Sequence, residues 1–169
     1  NVVPDIVVMG KPIGNGHPLG VLVTTREIAD SFAEGPEYFS TFGGSTLSCR
    51  MGKEVLDIVD DENLMENARV MGNALMDGLR KLQGKYDIVG DVRGYGLFIG
   101  LELIESKSTK VAGTRLADYV KNRMRENRVL LGSEGPFDNI LKIRPPLTID
   151  QEGVEMILSV LDKVLREAV

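Results

Sequence analysis

The chain has 169 residues, 43% of them hydrophobic, enough for one medium domain or a domain and a half with a genuine core. Its 20 Lys and Arg stand against 25 Asp and Glu, a formal charge of -5, so the basic footprint of a nucleic-acid binder is absent. One cysteine, Cys49, and one histidine, His17, exclude an internal disulfide and a zinc site built on these residues, and they predict a reducing, cytoplasmic setting.

No apolar run approaches a membrane span, and Asn1–Asp5 has neither a basic nor a hydrophobic leader pattern, so neither a membrane anchor nor export is expected. A start without methionine that runs straight into a probable strand predicts a piece of a longer protein. Asp5–Met9 and Gly20–Thr24 are short β-branched runs and read as buried strands. Between them, three glycines and two prolines in Gly10–Leu19 predict a tight loop without regular structure. Thr25 is placed to cap a short helix over Arg26–Ala33, with Ile28, Ala29 and Phe32 on one face. Residues 34 to 44 read as an aromatic, glycine-rich loop, followed by a helix over about Ser45–Val59.

From Asp60 the pattern changes. Leu64, Ala68, Met71, Leu75, Leu79 and Leu82 recur at steps of three and four, the mark of a long helix with one buried stripe. A boundary near Asp60–Asp61 therefore divides the chain into residues 1–60 and 61–169. The second part reads as α+β: strands over Ile88–Val92, Gly96–Leu103, Val129–Leu131 and Ile140–Ile143, a helix over Thr114–Asn127, and a last helix capped by Asp150.

Four places could carry chemistry. Lys11 directly follows a strand in a Gly/Pro loop, at the kind of sheet edge where α/β proteins bind ligands. Partial burial there would make its amine a nucleophile toward an aldehyde. A solvated loop lysine is the alternative, and spacing does not separate the two. In Ser40–Gly44, two hydroxyls and following backbone amides suit a phosphate, or serve only as a helix entrance. Cys49 has no basic neighbour to make it a thiolate, and is expected to be buried in packing. Lys142 and Arg144 flank Ile143, so strand alternation puts them on one side, as a clamp for a carboxylate or phosphate or as a solvent-facing pair. Arg93, in Val92–Leu97, is a further strand-end cation of the same kind.

Pro4–Leu19, Ser40–Gly44 and Val92–Leu97, in this order and spacing, resemble the C-terminal part of class III pyridoxal-phosphate-dependent aminotransferases. The resemblance implies a fold-type I α/β architecture, with residues 1–60 the end of the large cofactor domain and 61–169 the small C-terminal domain. It gives Lys11 the internal aldimine with pyridoxal 5′-phosphate and the relay of the substrate's Cα proton. It sends Ser40 and Thr41 across a homodimer interface to the partner's cofactor phosphate, and makes Arg93 structural. A small amine or amino acid is the implied substrate, with no metal, nucleic acid or membrane.

Two departures qualify the resemblance. Where amino-acid-binding members place an arginine four residues before the proline corresponding to Pro146, this chain has Lys142, with Arg144 two residues later. A point charge suits phosphate as well as carboxylate. The stretches Val129–Pro136 and Leu141–Pro146 are most similar to the branch holding alanine-glyoxylate aminotransferase-like proteins and ethanolamine-phosphate phospho-lyases. Second, the family's phosphate-cradling turn, ring-stacking aromatic and pyridine-pairing aspartate would precede residue 1, so the isolated chain is expected to be inactive. Transamination is the main expectation, phosphate elimination from an amino-phosphate the alternative. A non-catalytic folding or dimerisation module is the reading from another class.

Overall fold

A computed structural model describes residues 2–169 and divides at Asn63/Leu64 into two compact units. In the first, β1 (Ile6–Met9) pairs antiparallel with β2 (Val21–Thr24), Ile6 opposite Thr24 and Met9 opposite Val21. The connection between them contains one 3₁₀ turn, Lys11–Gly14, where no regular structure was expected. Pro12 supplies the fixed φ that such a turn needs, and the chain leaves it through left-handed Asn15 (φ 44°) and Gly16 (φ 103°).

Helix α1 (Arg26–Ala33) begins as predicted, with Ile28 N–H donating to the Thr25 hydroxyl at 3.4 Å. Helix α2 (Thr46–Asp61) is capped by Ser45 and laced by the i,i+4 pairs Arg50–Glu54 and Lys53–Asp57. The expectation of buried strands fails in this unit. Val8 and Leu22 are 73% and 62% exposed, and no residue of either strand is fully buried. A two-stranded ribbon has two faces, and the unit's own helices bury neither of them fully. Cys49 is likewise exposed, against the expectation, because α2 buries only Gly52.

What this unit does hold firmly is the loop after β1. Gly14 is buried, and the His17 Nε2 lies 2.8 Å from the Ser48 hydroxyl of α2. Leu19 packs so closely on the same helix that a Cβ on Gly52 would stand 2.7 Å from its Cδ2. Helix α2 therefore acts as a brace for the loop.

The second unit contains a conventional core. Helix α3 (Leu64–Lys85) buries Leu64, Leu75, Met76, Leu79 and Leu82. It leads into an antiparallel sheet ordered β3 (Val89–Tyr95), β4 (Phe98–Leu103), β6 (Ile140–Ile143), β5 (Gly132–Glu134). Gly96, at φ 55°, makes the β3–β4 turn. Register sets Val92 opposite Leu101 and Leu101 opposite Leu141, and these side chains join α3, α4 (Thr114–Glu126) and α5 (Gln151–Glu167) in one cluster. Buried Asn139 is satisfied, its Nδ2 donating to the Leu103 carbonyl at 2.8 Å.

The strand expected at Val129–Leu131 lies three residues later, at Gly132–Glu134. Arg128 turns left-handed (φ 67°) after α4, and Val129 N–H returns to the Met124 carbonyl at 2.9 Å. Val129 is thus tied to the helix end, with its side chain in the core, before strand pairing begins. Helix α5 starts at Asp150, whose carboxylate accepts from Gly153 N–H at 2.9 Å. It is tied to α3's end by Asp162, which accepts from Lys85 at 2.5 Å and from the Tyr86 hydroxyl at 2.8 Å.

Two expectations follow from these contacts. Gly52→Val puts branched atoms where Leu19 sits and should lower thermal stability by about 1–3 kcal/mol, the usual cost of overpacking; an unchanged melting curve would show that α2 does not brace the loop. Lys85 first, then Tyr86 and Arg166, hold the Asp162 carboxyl below the usual carboxylate range. Its stabilisation is therefore present above the unfolded value of about 3.9 and is lost as pH falls through the folded value. Asp162→Asn should be less stable than wild type at pH 6 and converge with it at low pH; a constant difference down the titration would contradict the assignment.

Candidate active site

Lys11 is the first residue of the 3₁₀ turn, one residue beyond the end of β1. The turn is closed by Ile13 N–H to the Gly10 carbonyl at 3.1 Å and Asn15 N–H to the Pro12 carbonyl at 3.0 Å. Its backbone is thus fixed from both sides, while the side chain is exposed. The partial burial that would activate this amine is not supplied by this unit, whose helix α2 contacts the far half of the loop, at His17 and Leu19. Among the described residues no carboxylate pairs with Lys11 within 4 Å.

Ser40 and Thr41 are exposed in the loop before α2. The Ser40 hydroxyl accepts from Gly43 N–H at 3.0 Å, and the helix cap is Ser45, so neither Ser40 nor Thr41 serves as the helix entrance. The Gly43 amide is used within the loop and does not add to a phosphate cradle. Ser40 still has its O–H to donate.

Lys142 and Arg144 lie on β6 and just beyond it, with the core residue Ile143 between them. Lys142 is opposite Gly100, which in turn is opposite Arg93, so these positions share the sheet face turned away from the helices. A cleft of about 380 Å³ opens there, lined by Arg93, Phe98, Gly100, Glu134, Ile140 and Lys142 among others. Both cations that line it are paired, and Arg144 stands on the same face outside the lining. Arg93 bonds Asp91 at 2.6 Å and Glu102 at 2.8 Å, and Glu102 first, then Asp91, raise its pKa above the ordinary arginine value. Lys142 forms an ion pair with Glu134. Arg144 lies over the Phe98 ring, its guanidinium carbon 5.8 Å from the centroid.

Two residues of this face escaped the sequence reading. Glu134 reaches Lys142 only because β5 begins at Gly132, and the apolar run Val129–Leu131 drew the strand too early. Phe98 gave no signal, since its link to Arg144 depends on the β4–β6 register. No cluster of three metal-ligating side chains occurs among the described residues, and no helix there is long and apolar enough to cross a membrane.

The class III aminotransferase family profile matches residues 1–165. An alanine–glyoxylate aminotransferase 2-like protein of Drosophila melanogaster is 42% identical over 94% of this chain and 32% of its own length. The ethanolamine-phosphate phospho-lyase homolog 1 of Caenorhabditis elegans is 41% identical over 96% of this chain and 35% of its own. A solved phospholyase from Arthrobacter, in complex with phosphoethanolamine, superposes with a TM-score of 0.95 at 40% identity, covering 98% of this chain and 39% of that one. The chain thus spans about a third of the length of the curated relatives it matches. On the match across residues 1–165, the chain belongs to the class III aminotransferases, a family that uses pyridoxal 5′-phosphate.

Proposed function

We propose that this chain is the C-terminal part of a pyridoxal-phosphate-dependent aminotransferase, with Lys11 as its catalytic amine. The observation that supports this most is Lys11 itself: a primary amine on a braced turn at a strand end, exposed and without a carboxylate partner within 4 Å among the described residues, in a chain matched to the family across residues 1–165. The donor set fits the cofactor, since an aldehyde needs an available amine and a phosphate needs hydroxyl donors such as those of Ser40 and Thr41. When bound, pyridoxal phosphate supplies an aldehyde and a ring that accepts the electrons of a broken Cα bond.

Each residue then has a role. The Lys11 amine would hold the cofactor's aldehyde and would take and return the proton at the substrate's Cα. The rigid turn keeps that nitrogen within a narrow range, which matters because proton transfer fails when the base is misplaced by an ångström. Ser40 and Thr41 donate hydroxyl hydrogens to the cofactor phosphate of a second copy, which makes the working protein a homodimer. The open sheet face that carries Lys142 and Arg144 receives the substrate's anionic group.

In this reading the first unit is the end of the large cofactor domain and the second is the small C-terminal domain. The exposed apolar side chains of the first unit, among them Val8, Leu22, Tyr38 and Phe42, are surfaces for the rest of a longer chain and for the second subunit. A reducing compartment suits Cys49, the cytoplasm being the simplest such setting.

Phosphate elimination from an amino-phosphate such as phosphoethanolamine is the second reading. It is favoured by the 0.95 TM-score to the Arthrobacter phospholyase and by a lysine at position 142.

Lys11→Ala in the full-length protein should lower turnover by at least roughly 10²–10⁴-fold, the usual contribution of a positioned general base, with the melting curve unchanged. Turnover near wild type would remove Lys11 from the mechanism. The two readings separate on phosphoethanolamine without a keto-acid acceptor: no phosphate release supports the transaminase, whereas stoichiometric phosphate and acetaldehyde establish the lyase.

A further inference from the structure

The open face of the four-stranded sheet carries three cations, and the fold treats them differently. Arg93 is committed to Glu102 and Asp91. Lys142, its side chain only 20% exposed, is paired with Glu134, which reaches it from the neighbouring strand β5 and is itself 54% exposed. Arg144 has no carboxylate within 4 Å among the described residues; its guanidinium lies over the Phe98 ring.

These environments have unequal consequences for an incoming anion. A ligand that approaches Lys142 must displace a carboxylate tethered to the same sheet, and exchanging one anion for another gains little. Arg144 imposes no such exchange. A cation–π contact with the guanidinium carbon 5.8 Å from the ring centroid uses none of the N–H donors, which stay available to bind carboxylate or phosphate through two parallel hydrogen bonds. Ring contact also restricts the side chain, so less rotamer freedom is lost when an anion binds.

We propose that Arg144, positioned by Phe98, is the residue that takes the substrate's anionic group, and that Glu134 withdraws Lys142 from this task. The inference rests on the reading that the open face of this sheet receives that group. It inverts what the sequence suggests, where Lys142 stands at the position of the family's arginine. Carboxylate and phosphate are both suited to the guanidinium edge, and the probes distinguish them.

Holoenzyme made from the full-length protein is titrated by calorimetry with ethyl phosphate and with propionate, which carry the two anions without a reactive amine. Arg144→Gln should weaken whichever anion binds by at least about tenfold, the scale of a hydrogen bond to a charged group, and several times more than Lys142→Met does. Glu134→Gln should tighten that anion roughly two- to fivefold, as expected when a partly exposed ion pair no longer competes. In the Lys142→Met background the Glu134→Gln gain should vanish. Phe98→Leu should lose part of the affinity that Arg144→Gln loses, and Phe98→Tyr, which keeps the ring, should restore it; a merely structural Phe98 would shift the melting curve and leave affinity alone. A larger loss with Lys142→Met than with Arg144→Gln would overturn the inference and leave the open face as the anion site. No anion binding by wild type, or unchanged affinity in both folded variants, would overturn the reading of that face and the inference with it.

Discussion

Everything assigned to Lys11 depends on the grip of one helix on one loop. The strand pair that flanks the loop is open on both sides in this unit, so strand burial does not hold the turn in place. The hold comes from α2, through the Leu19 contact at Gly52, the His17–Ser48 bond and the buried Gly14. A glycine in the interior of α2 costs helix stability, roughly 0.5–1 kcal/mol against alanine. At position 52 it permits Leu19 to approach so closely that an added Cβ would stand 2.7 Å from its Cδ2. The outcome is an amine whose backbone is fixed and whose tip is open to a reacting aldehyde.

The second unit divides its work by strand alternation. Side chains of Val92, Ile99, Leu101, Leu141 and Ile143 go to the core, and the residues between them go to the opposite face. A register shift of one residue would exchange core and charge on every strand, so the burial that stabilises this sheet also fixes where Arg93, Lys142 and Arg144 stand. Stability and site geometry are therefore not separable here. The salt bridges on the open face contribute little to stability, being partly exposed, but they decide which of its cations are paired.

The helices were legible in the sequence because their signals are local. Thr25 and Asp150 cap α1 and α5 as their side-chain chemistry predicts, and the three-four spacing of Leu64 to Leu82 marks α3. Burial in the first unit was not legible. Ile6–Met9 and Val21–Thr24 have core composition, yet composition does not say which surface covers them. Strand β5 was misplaced because the left-handed Arg128 and the returning bond of Val129 depend on how α4 ends, which periodicity does not report. That displacement hid Glu134, and cross-strand register hid Phe98. Long-range pairing, absent from any short window of sequence, determined both.

Condensation of the Lys11 nitrogen with a pyridoxal aldehyde leaves a bond that reductive trapping makes permanent. Full-length protein is incubated with pyridoxal phosphate, reduced with borohydride and digested, and the modified lysine is identified by mass spectrometry. One stoichiometric adduct is expected, on the peptide containing Lys11. Labelling spread over surface lysines with Lys11 no more modified than the rest, or a stoichiometric adduct on a different lysine, would contradict it.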